Sequence, residues 1–199
     1  MKSLKEYILE GILDIEDNIN IDTSNMTKDV IEQFLKENYS IKGSYNINET
    51  KNIFIVDVTG YVDVTNKNIT SLTNGLFEFS KIVGSFNCSG CESLKTLKGS
   101  PKEVVWSFNC SDCKSLKTLE GAPKKVGETF YCNNCKSLKS LKGAPQECYS
   151  FYCNNCESLK TLEGAPEKVK GEFYCNYCGI EFTENDVRKY TKVDGVIGV

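Results

Sequence analysis

Five Cys-x-x-Cys pairs recur at a nearly constant interval: Cys88/Cys91, Cys110/Cys113, Cys132/Cys135, Cys153/Cys156 and Cys175/Cys178. Their first cysteines lie 22, 22, 21 and 22 residues apart. Each pair sits in a longer frame, F-x-C-x-x-C-x-S-L-x-[TS]-L-x-G-[AS]-P. Phe86, Phe108, Phe130, Phe151 and Phe173 open the copies, and Pro101, Pro123, Pro145 and Pro166 close four of them. A repeat of this length is one supersecondary unit, which buries its apolar side only against its neighbours. The chain is therefore expected to stack into a solenoid.

The spacing within one copy gives each residue a direction. Phe-x-Cys has period two, so both side chains point to one face of a strand and the residue between them to the other. The second cysteine and two leucines follow at regular threes, as in Cys110, Cys113, Leu116 and Leu119. The fifth copy departs after Cys178, where GIEFTENDVRKY replaces the leucine pair, as a terminal unit does. A degenerate copy, YVDVTNKNITSL, precedes the series. Val62-x-Val64 makes its strand and Ile69 and Leu72 stand for the leucines, without any thiol. Conversely, Cys148 fills the slot held elsewhere by Val104, Val126 and Val169. A cysteine that exchanges with valine behaves as a small buried hydrophobe.

The cysteine spacing also fits a four-cysteine zinc ribbon, and CNYCG at 175–179 resembles a zinc knuckle. Five pairs do not share out two by two, however, and the chain has no histidine. The pairs travel with Phe and Leu, which zinc does not require, and a regular stack puts like cysteines in columns rather than tetrahedra. A redox centre would need a thiol activated at a helix N-terminus, whereas these pairs sit at strand ends. Neither metal nor cofactor is expected. Eleven cysteines cannot all pair. The segment MKSLKEYILEGILDIEDN is interrupted by acidic residues and offers no secretory signal, so reduced thiols are expected.

Written from the residue before the strand, one copy reads Val105-x-x-Phe108-x-Cys110-x-x-Cys113-x-x-Leu116-x-x-Leu119. This resembles the leucine-rich-repeat frame L-x-x-L-x-L-x-x-[N/C]-x-x-L over roughly residues 56–178. The resemblance implies a solenoid of leucine-rich-repeat type: a parallel β-sheet on one face, a mostly irregular convex side and a helical N-terminal cap. VDVTGYVDVTNKNITSL followed by the FNCS and GAP copies looks like leucine-rich-repeat proteins encoded by large tailed bacteriophages. So does an opening of the type M-K-x-L-x-E-Y-I-x-E-G. That resemblance implies a bacteriophage source and a place in the host cytoplasm or the virion, and it carries no activity. The ILE triplet at 8–10 is similar to the cleavage site of capsid-targeting leaders; an amphipathic helix accounts for Leu4, Ile8 and Ile12 equally well.

The organisation expected is an N-terminal segment at 1–26, a cap at 27–65, the solenoid at 66–178 and a C-terminal cap at 179–199. In the first cap, TKDVIEQFLKENY reads as a helix with Thr27 at its start, and residues 52–66 read as a hairpin turning at Thr59-Gly60. In the last, Thr183-x-x-Asp186 opens a short helix through Tyr190, and VDGVIGV adds one strand.

No enzyme is expected. Histidine, the commonest general base, is absent, and no phosphate loop or serine elbow is visible. The outward columns of the sheet are the candidate site. Between Phe and Cys stand Asn87, Asn109, Tyr131, Tyr152 and Tyr174; after the first cysteine stand Ser89, Ser111, Asn133, Asn154 and Asn176. Rows of Tyr and Asn suit an adaptable contact with a protein partner, while Tyr also simply favours strands and Asn favours turns. Lys95, Lys117, Lys139 and Lys160 form a basic column, but Lys98, Glu120, Lys142 and Glu163 beside it alternate in sign. A phosphate-tracking face stays basic, so nucleic acid is not the expected partner. No apolar run of about 18 residues is present to span a membrane. The leading expectation is a non-catalytic protein-binding repeat protein, followed by a virion-associated structural or packaged protein and, third, a zinc-binding module. Oligomeric state is left open.

Overall fold

Each copy of the repeat makes one rung with two short strands. The computed structural model describes residues 27–199 apart from 52, 74 and 76; the triplet at 8–10 and the first domain boundary fall outside that range. The first strand of each rung carries the Phe in β4 (Phe86–Asn87), β6 (Phe108–Asn109), β8 (Thr129–Tyr131), β10 (Ser150–Tyr152) and β12 (Phe173–Tyr174), and Ile197 takes its place in β14 (Ile197–Gly198). These pair in that order, all parallel and in register. The second ladder was not foreseen. It uses the residues after each of the four prolines, β5 (Glu103–Val104), β7 (Lys125–Val126), β9 (Glu147–Cys148) and β11 (Lys168–Val169), and ends on β13 (Lys192–Val193), again parallel. The molecule is thus a parallel β-solenoid of about six turns, with strands on two adjoining faces.

Both ladders begin on longer strands. β2 (Phe54–Asp63) pairs with β3 (Phe77–Val83) along its first part and with β4 at Val62 and Asp63. β1 (Ser40–Glu49) runs antiparallel to β2 over its whole length. The hairpin therefore turns at 50–53, and Thr59-Gly60 lies inside a strand, correcting the expected turn. Those two residues mark the corner where the hairpin bends from one face to the other. Gly43 and Gly60 pair there at φ 137° and 139°, and a Cβ on either would overlap the opposing carbonyl. Only glycine fits so close an approach. The polar β1 lacked the alternation that reveals a strand.

The C-x-x-C spacing has a backbone cause. Its third residue holds positive φ in every copy: Gly90, Asp112, Asn134, Asn155 and Tyr177 lie between 56° and 70°, and Asn66 in the degenerate copy at 54°. Gly, Asn and Asp adopt this left-handed conformation most easily. The turn swings the second cysteine back into the core. Gly99, Gly121, Gly143 and Gly164, at 82° to 93°, make a second such turn before each proline strand.

The interior is a set of columns. Phe86, Phe108, Phe130, Phe151 and Phe173 stack with ring centroids 5.3–5.5 Å apart and all are fully buried. The leucine pairs from Leu94 to Leu162 are equally inaccessible. Helix α1 (Lys28–Asn38) starts where Thr27 Oγ1 accepts a hydrogen bond from Val30 N–H, and it buries Ile31, Phe34 and Leu35. The Phe34 ring meets Phe77 edge-on at 6.0 Å. At the other end, α2 (Glu184–Arg188) has a reciprocal capping box between Thr183 and Asp186. VDGVIGV supplies β14 as expected, and its first residue, Val193, closes β13, so both ladders gain a last rung.

Candidate binding face and the cysteine columns

The ten paired cysteines occupy two columns with different partners, and Cys148 stands apart in the Val ladder. The second thiol of each pair donates to a carbonyl one rung earlier: Cys91 to Val64, Cys113 to Cys88, Cys135 to Cys110, Cys156 to Cys132 and Cys178 to Cys153, at 3.0–3.3 Å. Among the described residues no backbone N–H reaches these carbonyls. The thiol therefore satisfies an acceptor that the turn leaves open, and that bond recurs because the turn recurs. The signal in the sequence for this donor was the Asn/Cys alternative at that position of the frame the copies resemble.

Burial pushes the thiols of Cys110, Cys132 and Cys153 well above their ordinary value, and that of Cys91 up to about 11 and of Cys148 up to about 12. Cys88 is raised by its hydrogen bond with the Cys113 thiol and by burial. Protonated thiols in such sites are poor nucleophiles and poor ligands. All eleven are free, ten are buried, and only Cys178 is half-buried. A hydrogen bond from the Cys153 side chain holds Cys178 below the usual thiol range. No group of three or more Cys, Asp or Glu side chains converges as metal ligands among the described residues.

The outward side of the Phe ladder gathers all eight sequence-predicted site residues, each half-buried. Asn87, Asn109, Tyr131, Tyr152 and Tyr174 are successive register partners. The rings of Tyr131 and Tyr152 stack at 5.3 Å and 16°, and those of Tyr152 and Tyr174 at 5.3 Å and 3°. Beside them runs an amide ladder. Asn133 Oδ1 accepts from Asn154 N and Nδ2 at 2.9 and 3.2 Å, and Asn154 Oδ1 accepts from Asn176 in the same way. On the other side, Ser85, Ser107 and Ser150 hydroxyls accept backbone N–H groups one rung on. Asn87 Nδ2 donates to Tyr61 Oη at 2.8 Å. The Tyr152 hydroxyl donates to Glu172, and this bond raises its pKa to about 12.

The Val ladder presents charge instead. Lys81, Glu103, Lys125, Glu147, Lys168 and Lys192 are register partners in turn. Lys81 pairs with Glu103 at 2.8 Å, Lys170 with Glu147 at 3.4 Å and Lys168 with Asp194 at 3.3 Å. An open groove of about 410 Å³ lies there, lined by Val105, Lys125, Gln146 and Glu167 among others. At the corner between the ladders, Trp106 and Tyr149 are 59% and 52% exposed. They break the repeat pattern at single positions, so no column revealed them. On the remaining side the alternating column does pair, Lys142 with Glu120 at 3.3 Å. Lys95, Lys117, Lys139 and Lys160 stay exposed beside it.

No family model, no curated protein and no solved structure matches this chain. No helix among the described residues is long and apolar enough to cross a membrane.

Proposed function

We propose that the chain is a non-enzymatic protein-binding repeat protein that works through the outward face of its Phe ladder. The observation that carries this reading is the three-ring stack of Tyr131, Tyr152 and Tyr174. The stack is flanked by amide and hydroxyl ladders whose backbone bonds are already satisfied. Aromatic side chains fixed in rows present area at little cost in conformational entropy. Their core-side neighbours hold them whether or not a partner is bound. The repeat is of leucine-rich-repeat type, with α1 as its N-terminal cap. The donor thiol in the Asn/Cys slot of that frame and the burial of Ile31, Phe34 and Leu35 support this. The motif resemblance supports a phage source and a place in the host cytoplasm or the virion.

The test is capture by immobilised protein. A partner retained by the parent should be lost on Tyr131→Ala/Tyr152→Ala and kept by Lys125→Ala/Glu167→Ala on the Val ladder. Equal capture by the tyrosine double variant would remove the Phe-ladder face from the account.

A further inference from the structure

The binding face has two unlike halves. Toward the N-terminus the column between Phe and Cys holds Asn87 and Asn109, with Ser89 and Ser111 beside them. Toward the C-terminus it holds three tyrosines, with Asn133, Asn154 and Asn176 beside them. The full register runs Asp63, Asn87, Asn109, Tyr131, Tyr152, Tyr174, Gly198. Tyr131 is the middle of these seven positions.

A two-fold axis through Tyr131, directed along its strand, reverses the stack and lays each column over itself. Tyr131 then meets Tyr131 of the second copy, Tyr152 meets Asn109, Tyr174 meets Asn87, and Gly198 meets Asp63. On either side of the axis the tyrosines fall over the smaller asparagines, while on the axis the two Tyr131 rings meet each other. The flanking columns obey the same centre: Glu172 falls over Ser85, and Asn176 over Ser89. Charge permits the match. From Ser85 to Asn176 the only charged side chain in these three columns is Glu172, and it meets a neutral one. Period permits it as well, because a second stack of rungs repeats at the same spacing of about 4.8 Å all along the face.

We propose that this face pairs with the same face of a second copy, in an isologous dimer with antiparallel solenoid axes. The inference rests on the reading of the face as a protein contact, and it names the partner. Five rungs of roughly 24 Å by about 15 Å bury a small area for a specific interface, so the dimer is weak and reversible, with a Kd on the order of 10–100 µM.

Sedimentation equilibrium from about 1 to 500 µM spans that Kd range on both sides. The parent should pass from monomer to dimer over it. Tyr131→Arg puts two guanidinium groups on the axis and should weaken dimerisation at least about tenfold with an unchanged melting temperature. Tyr152→Arg serves as a second variant if the first does not fold, and Lys125→Ala on the Val ladder should leave the dimer constant unchanged. A parent that stays monomeric at the highest concentration overturns the proposal, as does a dimer that ignores both arginine variants. If the parent is monomeric but Tyr131→Arg abolishes capture of another protein, the dimer falls and the binding face stands. If neither measurement responds, both fall.

Discussion

The two ladders share every rung and one spacing, yet they solve the same difficulty in opposite ways. A parallel in-register stack puts equivalent side chains directly over one another, so like charges in a column repel. The Val ladder answers with alternation from Lys81 through Glu103, Lys125 and Glu147 to Lys168, and where Lys192 follows Lys168 the Asp194 carboxylate meets both. The Phe ladder answers with neutrality: hydroxyls, amides and stacked phenol rings, whose contacts are favourable when like lies over like. Their interiors differ as well. Each Phe-ladder rung buries a ring and its thiols, whereas each Val-ladder rung buries one small side chain. Stability is thereby concentrated behind the face that also carries the candidate contact, and the charged face is left as a solvated surface.

The largest effect expected is Phe151→Ala. It removes a ring held between two others at 5.3 and 5.4 Å, and should cost about 3–5 kcal/mol in denaturant unfolding. Val126→Ala on the other ladder should cost about half of that or less, in proportion to the methyl groups lost. Equal losses would break the contrast between the ladders.

Next come the thiols, at about 1–3 kcal/mol. Cys135 donates to Cys110 O, so Cys135→Ser retains a donor and should be milder than Cys135→Ala. Cys132 has no such bond to replace, so Cys132→Ser should be at least as damaging as Cys132→Ala. Cys148→Val, which restores the residue used in the other rungs, should stay within about 1 kcal/mol of the parent. The same burial sets an alkaline limit. Cys91 and Cys148 titrate at about 11 and about 12 in the fold, against roughly 8.5 when unfolded. A raised folded-state pKa gives stability that is complete below the unfolded value and is lost as pH rises through the folded one. The melting temperature should therefore hold to about pH 8.5 and decline toward pH 11–12, and Cys148→Val should remove part of that decline.

The smallest effects sharpen the comparison at the surface. Tyr177 is 83% exposed and holds φ 56°, where the earlier copies have Gly, Asp or Asn. Tyr177→Asn should stabilise by about 0.5–1 kcal/mol by relieving that backbone. Breaking the exposed Lys81–Glu103 pair with Lys81→Ala should cost only a few tenths of a kcal/mol.

Much of this was legible because the repeat locks spacing to direction. Phe-x-Cys placed the ring and thiol inward and Tyr131, Tyr152 and Tyr174 outward, and the degenerate copy at Val62 and Val64 fell into the same columns. What escaped had no periodic signal. Two-residue strands such as Lys125–Val126 are too short to alternate, so the second ladder stayed hidden. β1 is polar along nearly its whole length and is held by pairing with β2 rather than by a buried face. The glycine corner at Gly43 and Gly60 looked like a turn because close approach of two backbones and a tight hairpin call for the same residue. The carbonyls that the second thiols satisfy belong to the preceding rung, some 24–27 residues away, and only the stacked backbone brings them together.

Native-state thiol labelling read by mass spectrometry bears most directly on the cysteine columns, from which the rest of the fold follows. With a small alkylating reagent near neutral pH, Cys178 should react first. The ten buried cysteines should react only at the rate at which the whole chain unfolds, and denaturant should release them together. Rapid modification of Cys132, Cys135 or Cys153 in the folded protein would contradict the columns and the solenoid built on them.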